Sequence, residues 1–465
     1  VTSPNQAAAE VNKEGLATRK VAYRALRSIA EREAFSPPVV QRAVATLPQR
    51  ERGLAANLVY ETLRWRGTLD WALDQVLDRA SDDVEEPLRD ILRMGAWQLL
   101  YGRMPDRAVV DTSVALARAE VGERVAGFTN GVLRNLSRRK DSLNWPPTDD
   151  ARGLGLATGY STWIAQEARE RFGARAEALL RAGNDAPGLT LRVSAPIGGD
   201  ARVVREALAQ ELQELGIPTT PGRWTDEALR APGADPGALA AVTQGRATPQ
   251  DEASMVVARL VVAALAHAGG SGEQVADLCA GPGGKTTHLA QLGLEVTATD
   301  PIESRVRMVA ELAERLGVAD RVHALARDAR SPELPQASFD AVLVDAPCTG
   351  LGVTRRRPEV RWRRVAEDPA RLAALQLEIL NAAAGLVRPG GVLVYSVCTW
   401  TRAETVDVTR AFLAMEGDRF TVMVPEALLP AGCGQVLSGD VGVQLSPDLD
   451  ETDGMYAAVF HRLTG

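Results

Sequence analysis

Cys348 and Cys398 are the side chains of this chain best suited to covalent chemistry. Cys348 sits in Asp345-Ala346-Pro347-Cys348-Thr349-Gly350, and Cys398 in Tyr395-Ser396-Val397-Cys398-Thr399-Trp400. Each follows an apolar run that reads as a β-strand. A thiolate is a strong nucleophile, and a helix starting beside it favours the ionised form. Thr401-Arg402-Ala403-Glu404, just past Cys398, fits a capping box and predicts such a start. The other two cysteines are Cys279 and Cys433. Four cysteines without a C-x-x-C pair make neither a disulfide framework nor a zinc site. Free thiols, no metal and a cytoplasmic setting are therefore expected.

A second group of residues forms a ligand loop. Asp277-Leu278-Cys279-Ala280-Gly281-Pro282-Gly283-Gly284-Lys285 follows a predicted strand and opens a predicted helix. A P-loop needs glycine where Cys279 stands, and a dinucleotide fingerprint needs it where Thr286 stands, so both are excluded. The glycines still allow a tight turn and close approach of a ligand to backbone. Asp300 ends the next strand, Asp328 follows the third and Asp345 ends the fourth. Open α/β sheets bind ligands at such carboxyl ends, and acids suit a cationic sulfonium better than phosphates. The constellation resembles class I S-adenosylmethionine methyltransferases. That resemblance implies that Cys279, Ala280, Gly281, Pro282, Gly283, Gly284 and Lys285 wrap the methionine part. It gives Asp300 the ribose and Asp328 the adenine edge, with Asp345 completing the cofactor site. Cys279 reads as a small packing residue rather than a reactive thiol.

With a methyl donor at this edge, the thiols acquire a purpose. Carbon 5 of cytosine is a poor nucleophile. Addition of a thiolate at carbon 6 makes carbon 5 enamine-like, so that it can attack a methyl group. An acid that protonates ring N3, here Asp345, stabilises the addition, and a base must later remove the carbon 5 proton. The pattern resembles the two-cysteine RNA cytosine-C5 methyltransferases. In that family the cysteine after the fifth strand is the nucleophile and the Pro-Cys after the fourth assists release. The resemblance makes Cys398 the nucleophile and Cys348 the helper. This chain departs from the family's Thr-Cys-Ser by carrying Val397-Cys398-Thr399.

Just past Cys348 lie Arg355, Arg356, Arg357, Arg361, Arg363 and Arg364, with Trp362 among them. Arginine pairs with phosphate and stacks on bases, and tryptophan offers a stacking face. Arg355, Arg356, Arg357, Arg361 and Trp362 are the expected RNA contacts. The family carries a similar Arg-Pro-Glu-x-Arg-Trp segment.

The elements that must position these residues fall into blocks. With 465 residues, several domains are expected. The 45% hydrophobic and 24% charged composition is that of an ordinary globular protein. No uncharged apolar run reaches the roughly 18 residues of a membrane span. A net charge of −7 confines any RNA site to a local basic patch. Residues 1–14, polar and Ala-rich, read as a flexible tail without signal-peptide character. Residues 15–145 read as successive helices, with Leu54, Leu58, Val59, Leu63 and Leu88, Ile91, Leu92, Gly95, Leu99 at helical spacing. Asn144-Trp145-Pro146-Pro147 reads as a linker. Residues 155–250 read as a small α+β subdomain, with a helix over 163–182, a strand over 189–193 and a helix over 201–215. From 251 to 465, strands and helices alternate, which predicts a doubly wound α/β domain with a parallel sheet.

Arg19-Lys20-Val21-Ala22-Tyr23-Arg24-Ala25-Leu26, Leu69-Asp70-Trp71-Ala72-Leu73 and Asn130-Gly131-Val132-Leu133-Arg134 resemble NusB-type helical RNA-binding domains. NusB-like helices followed by a two-cysteine methyltransferase resemble the Sun/Fmu-type bacterial 16S rRNA methyltransferases, over nearly the whole chain. The resemblance implies S-adenosyl-L-methionine as cofactor and a cytosine of 16S rRNA, at or near nucleotide 967, as target. A monomer acting on rRNA or a small-subunit assembly intermediate is expected. Two other readings stay open from the residues alone: a tRNA cytosine as target, and an idle NusB-like assembly factor.

Overall fold

The computed structural model describes residues 4–270, 272–424, 427–437 and 439–464, with side chains from Gly15 onward. They form two units. The first comprises residues 4–184 together with 356–365, and the second the described residues of 185–355 and 366–464. Among the described residues no helix is long and apolar enough to cross a membrane.

The first unit is helical throughout. Its helices are α1 (Pro4–Glu31), α2 (Ser36–Val44), α3 (Gln49–Arg64), α4 (Arg66–Asp74), α5 (Glu86–Leu100), α6 (Asp106–Glu120), α7 (Ala126–Arg139), α8 (Ala151–Thr158), α9 (Thr162–Phe172) and α10 (Ala176–Ala182). Leu58, Val59, Leu88, Ile91, Leu92 and Leu99 all enter one core with Leu26, Leu69 and Leu133, as their spacing predicts. Three boundaries differ from the expectation. From Pro4 the supposed tail is already α1, and residues 1–3 lie outside the described residues. The Trp145 linker packs onto α4, with its ring 4.4 Å from that of Trp71. The helical unit also continues to residue 184, because α8 docks on α4 through the Thr68 hydroxyl, which donates to Leu156 O at 2.7 Å. The helix expected over 163–182 breaks at Gly173, whose φ is +56°.

The second unit opens with β1 (Leu189–Val193), α11 (Ala201–Glu214), β2 (Thr220–Pro221), β3 (Ala228–Ala231), α12 (Ala240–Thr243) and β4 (Ala247–Pro249). The small sheet runs β2-β3-β1-β4, antiparallel throughout. Next come α13 (Glu252–His267), β5 (Gln274–Leu278), α14 (Gly284–Gln291), β6 (Glu295–Asp300), α15 (Glu303–Arg315), β7 (Val322–Ala326) and β8 (Phe339–Asp345). After Arg355 the chain gives the segment with α16 (Val360–Arg363) to the helical unit. It then continues as α17 (Asp368–Leu386), β9 (Val387–Val397), α18 (Val408–Glu416), β10 (Phe420–Met423), β11 (Val443–Leu445), α19 (Pro447–Asp450) and β12 (Met455–Arg462).

The large sheet has the order β10-β12-β9-β8-β5-β6-β7, with β11 on β12. The five strands β5 to β9 are parallel, as the alternation of strand and helix predicts. β12 is antiparallel to β9 and β10 to β12. The sheet is therefore mixed, with β12 running antiparallel between β9 and β10, which share one direction. The strand order reverses between β5 and β8, and at such a point the carboxyl ends flank a crevice. Both faces are covered, and Val342, Val344, Leu393, Tyr395 and Val397 are fully buried on one of them.

Candidate active site

The ligand loop leaves β5 at Leu278 and turns through two backbone conformations that few side chains tolerate. Cys279 has φ +75°, and its N–H and that of Ala280 both donate to Thr299 O, at 2.9 and 2.8 Å. Gly283 has φ +103°, and a Cβ there would stand 3.0 Å from Val309 Cα. A Cβ on Gly281 would lie 2.8 Å from Asp300 Oδ2. The loop is thus a cradle whose shape requires bare backbone beside an acid. Asp300 is 2% exposed and accepts from the N–H groups of Gly281 and Ile302. Asp328 accepts from Arg330 N–H and pairs with its guanidinium at 2.6 Å, which holds the carboxyl below its usual range. Under the loop, Asp277 accepts from the Thr286 hydroxyl at 2.6 Å, while its Oδ1 is buried without a hydrogen-bond partner. Burial pushes this carboxyl up to about 7, against the Thr286 hydrogen bond. Gly-only backbone, strand-end acids and an orphaned carboxylate oxygen fit a cationic, hydroxyl-bearing group such as S-adenosylmethionine. Cys279 packs against the apolar core and burial pushes its thiol up, as a packing residue should behave.

Asp345 ends β8 in register with Ser396 of β9. Its Oδ1 accepts from the Ser396 hydroxyl at 2.8 Å and its Oδ2 lies 2.6 Å from Lys285 Nζ. Lys285 belongs to the first turn of α14, so the ion pair joins the loop after β5 to the end of β8.

The two thiols meet at the ends of the adjacent strands β8 and β9. Their sulfurs are 3.2 Å apart, too far for a disulfide, and both residues are half-buried. Hydrogen bonding to Cys398 and then burial push the Cys348 thiol well above its ordinary value. The two sulfurs lie within hydrogen-bond reach, and either can be the donor. Val397 is fully buried in the core, so the apolar side chain before Cys398 is a packing residue. The hydroxyl of Thr399 is retained and lies 2.8 Å from that of Thr349.

The capping box past Cys398 does not form. Residues Ala403–Asp407 make a turn of π-helix before α18, without a side-chain cap. Glu404 turns inward to accept from the Thr401 hydroxyl and from Thr349. A buried polar pocket outcompetes the local cap, because it offers several donors to one carboxylate.

Arg192 of β1 was missed as a site residue. It is fully buried and donates to Gly284 O at 2.7 Å and the Thr287 hydroxyl at 2.9 Å, which fastens the first turn of α14 to the small sheet. Its signal in the sequence is a charge inside the apolar run Leu189-Thr190-Leu191-Arg192-Val193.

The basic segment divides. Arg361 is 0% exposed in the helical unit. It donates to Asn184 Oδ1 at 2.6 Å and to the carbonyls of Gly183 and Gly159, and lies 3.7 Å over the Tyr160 ring. Trp362 Nε1 donates to Leu63 O at 2.5 Å. Arg361 is therefore a packing residue of that unit rather than an RNA contact, because the terminal nitrogens of its guanidinium are spent on buried acceptors, whereas Trp362 is half-buried. Arg355 bonds Thr452 O at 2.8 Å. Arg357 is exposed, with its guanidinium 4.4 Å from the Phe35 ring.

Comparison with known proteins bears on this geometry. A family profile described as 16S rRNA methyltransferase RsmB/F matches residues 264–461. The NusB family matches 16–138, and the ferredoxin-like domain of RsmF/B-like methyltransferases matches 160–234. A putative methyltransferase of Mycobacterium tuberculosis is 38% identical, covering 96% of each chain. A probable ribosomal RNA small subunit methyltransferase B of Bacillus subtilis is 32% identical, covering 94% of this chain and 97% of its own. The solved structure of PH0851 shares the fold, with a TM-score of 0.78 at 21% identity over 96% of this chain and 98% of that one. A methyltransferase homolog from Pyrococcus horikoshii superposes with a TM-score of 0.54 at 25% identity, covering 67% of this chain and 99% of its own.

Proposed function

The chain belongs to the RsmB/F family of 16S rRNA methyltransferases, and from that membership we propose that it methylates carbon 5 of a cytosine in 16S rRNA, at or near nucleotide 967, through a covalent Cys398 adduct. The observation that carries this reading is the 3.2 Å approach of two thiols, not joined in a disulfide, beside Asp345 at the carboxyl edge of the sheet.

S-adenosylmethionine, when bound, supplies a methyl group made electrophilic by its sulfonium. The loop Cys279–Lys285 holds the methionine part, Asp300 takes the ribose hydroxyls and Asp328 the adenine edge. The target base, unpaired or flipped, enters beside the loop. The Cys398 thiolate adds to carbon 6 while a proton passes from the Lys285 ammonium through the Asp345 carboxylate, 2.6 Å away, to ring N3. Carbon 5 would then take the methyl group as the donor's sulfur–methyl bond breaks. A base takes the carbon 5 proton, ring N3 returns its proton to Asp345, and the bond from Cys398 to carbon 6 breaks with its electron pair going back to sulfur, with Cys348 3.2 Å from that sulfur. Arg355, Arg356 and Arg357 supply positive charge toward the RNA backbone.

Two variants test the division of labour. Cys398→Ala should abolish both methyl transfer from labelled donor to rRNA and the covalent protein–RNA adduct. Cys348→Ala should form the adduct and accumulate it, seen as a shifted band on a denaturing gel. Adduct formation by Cys398→Ala would overturn the assignment. Bisulfite sequencing of rRNA from cells lacking the protein should show one cytosine losing its protection.

A further inference from the structure

Glu404 is 0% exposed and lies between the two thiol loops. Its Oε1 accepts from the Thr349 N–H at 2.8 Å and from Gln376 Nε2 at 3.1 Å. Its Oε2 accepts from the hydroxyls of Thr349 at 2.5 Å and Thr401 at 2.8 Å, with Thr399 Oγ1 at 3.4 Å. Thr349 is the residue after Cys348, and Thr399 is the residue after Cys398. Gln376 of α17 completes the ring by donating to Pro347 O at 2.9 Å, just before Cys348. The Tyr395 hydroxyl donates both to Gln376 Oε1 and to Glu404 O, at 3.0 and 2.7 Å.

One carboxylate therefore collects donors from the loop after β8, the loop after β9 and α17. A buried carboxylate without partners would be costly, so this one persists only with its donors in place. Conversely, the donors fix where the two loops stand relative to each other. The two sulfurs face each other at 3.2 Å in the loops so tied.

We propose that Glu404 is the positioning residue of the reaction, the group that sets the distance between Cys348 and Cys398. The proposal rests on the reading of these two thiols as the reacting pair. Burial raises the Glu404 carboxyl above its usual range, against the hydrogen bonds from Thr349, Thr401 and Gln376. Glutamine can replace it in shape, because the Thr349 and Thr401 hydroxyls can rotate to accept from an amide. Alanine cannot.

The test uses the full chain and two readouts. Phenylarsine oxide bridges two thiols only when they stand close together, so it reports their spacing without requiring catalysis. Wild type and Glu404→Gln should capture it through both thiols, whereas Cys348→Ala should not. Glu404→Ala should lose bidentate capture while each thiol still reacts with a monofunctional reagent. Its kcat should fall by about 10²-fold, the scale expected for a misplacement of roughly 1 Å, with donor affinity unchanged. Glu404→Gln should stay within about tenfold of wild type, since it keeps most of the orienting contacts. If Glu404→Ala does not fold, the double variant Thr349→Val/Thr401→Val strips both hydroxyls from Oε2 at nearly constant volume and should show the same loss of capture. Wild-type capture by the variant that folds would overturn the proposal. Loss of capture with full methylation would instead overturn the reading of the thiols as the reacting pair.

Discussion

At the residue scale, the site contains two carboxylates on neighbouring strand ends with opposite surroundings. Asp345 faces Lys285 and Ser396, while Asp277 lies beneath the loop with one oxygen unpartnered. Asp277 titrates near 3.8 in an unfolded chain and about 7 here, because burial penalises its charge. Below the lower value both states are protonated, and the neutral form contributes its full stability. As pH rises through the folded value, that contribution is lost, because the unfolded chain has already released the proton. Wild-type Tm should therefore fall between pH 5 and pH 8 by more than that of Asp277→Asn, which keeps an acceptor for Thr286. Scanning calorimetry at both pH values measures the difference, and identical pH dependence in the two proteins would contradict this account. Asp277 was legible in the sequence only as the start of a loop motif, since its burial depends on strands far away in the chain.

At the element scale, the turn between β5 and α14 is the most constrained piece of backbone at the site. Gly283→Ala would place a Cβ at φ +103° and 3.0 Å from α15. The turn must then shift, and affinity for S-adenosylmethionine should fall by about tenfold, as left-handed strain of 1–2 kcal/mol predicts. Titration calorimetry with the donor alone measures this, and unchanged affinity would show that the loop shape is not what binds. The parallel strands and the loop were readable because both signals are local. β10 and β11 were not anticipated, since each is short and acquires strand character only by pairing with β12. The capping box failed for a related reason. Its residues obey the local rule, but Glu404 finds stronger partners across the fold.

At the scale of the whole molecule, the chain contributes residues 356–365 to a helical unit otherwise built from its first 184 residues. Arg361 fills a polar hole in that unit, and burial lowers its guanidinium to about 10. A fragment of residues 1–184 lacks this group, leaving the Gly159 and Gly183 carbonyls and the Tyr160 ring without their cation. The fragment should melt at lower temperature than the fragment mixed with a peptide of residues 354–367. An Arg361→Ala peptide should give no rescue, as expected for loss of a buried charged hydrogen-bonding partner. Equal melting with and without the peptide would refute the dependence. Within this unit the basic cluster divides, since Arg361 is buried, Trp362 half-buried and Arg357 exposed.

The sequence by itself determined the chemical inventory and its order. Two thiols, a glycine turn and acids at successive strand ends are written in short segments, and strand–helix alternation puts those segments on one edge of a sheet. Only the tertiary structure decided which charges are spent and which are available. Glu404 takes donors from as far as 28 and 55 positions away, and Arg361 finds acceptors 177 to 202 positions away. Whether a charged side chain meets water or a buried acceptor depends on what packs over it. No local pattern carries that information.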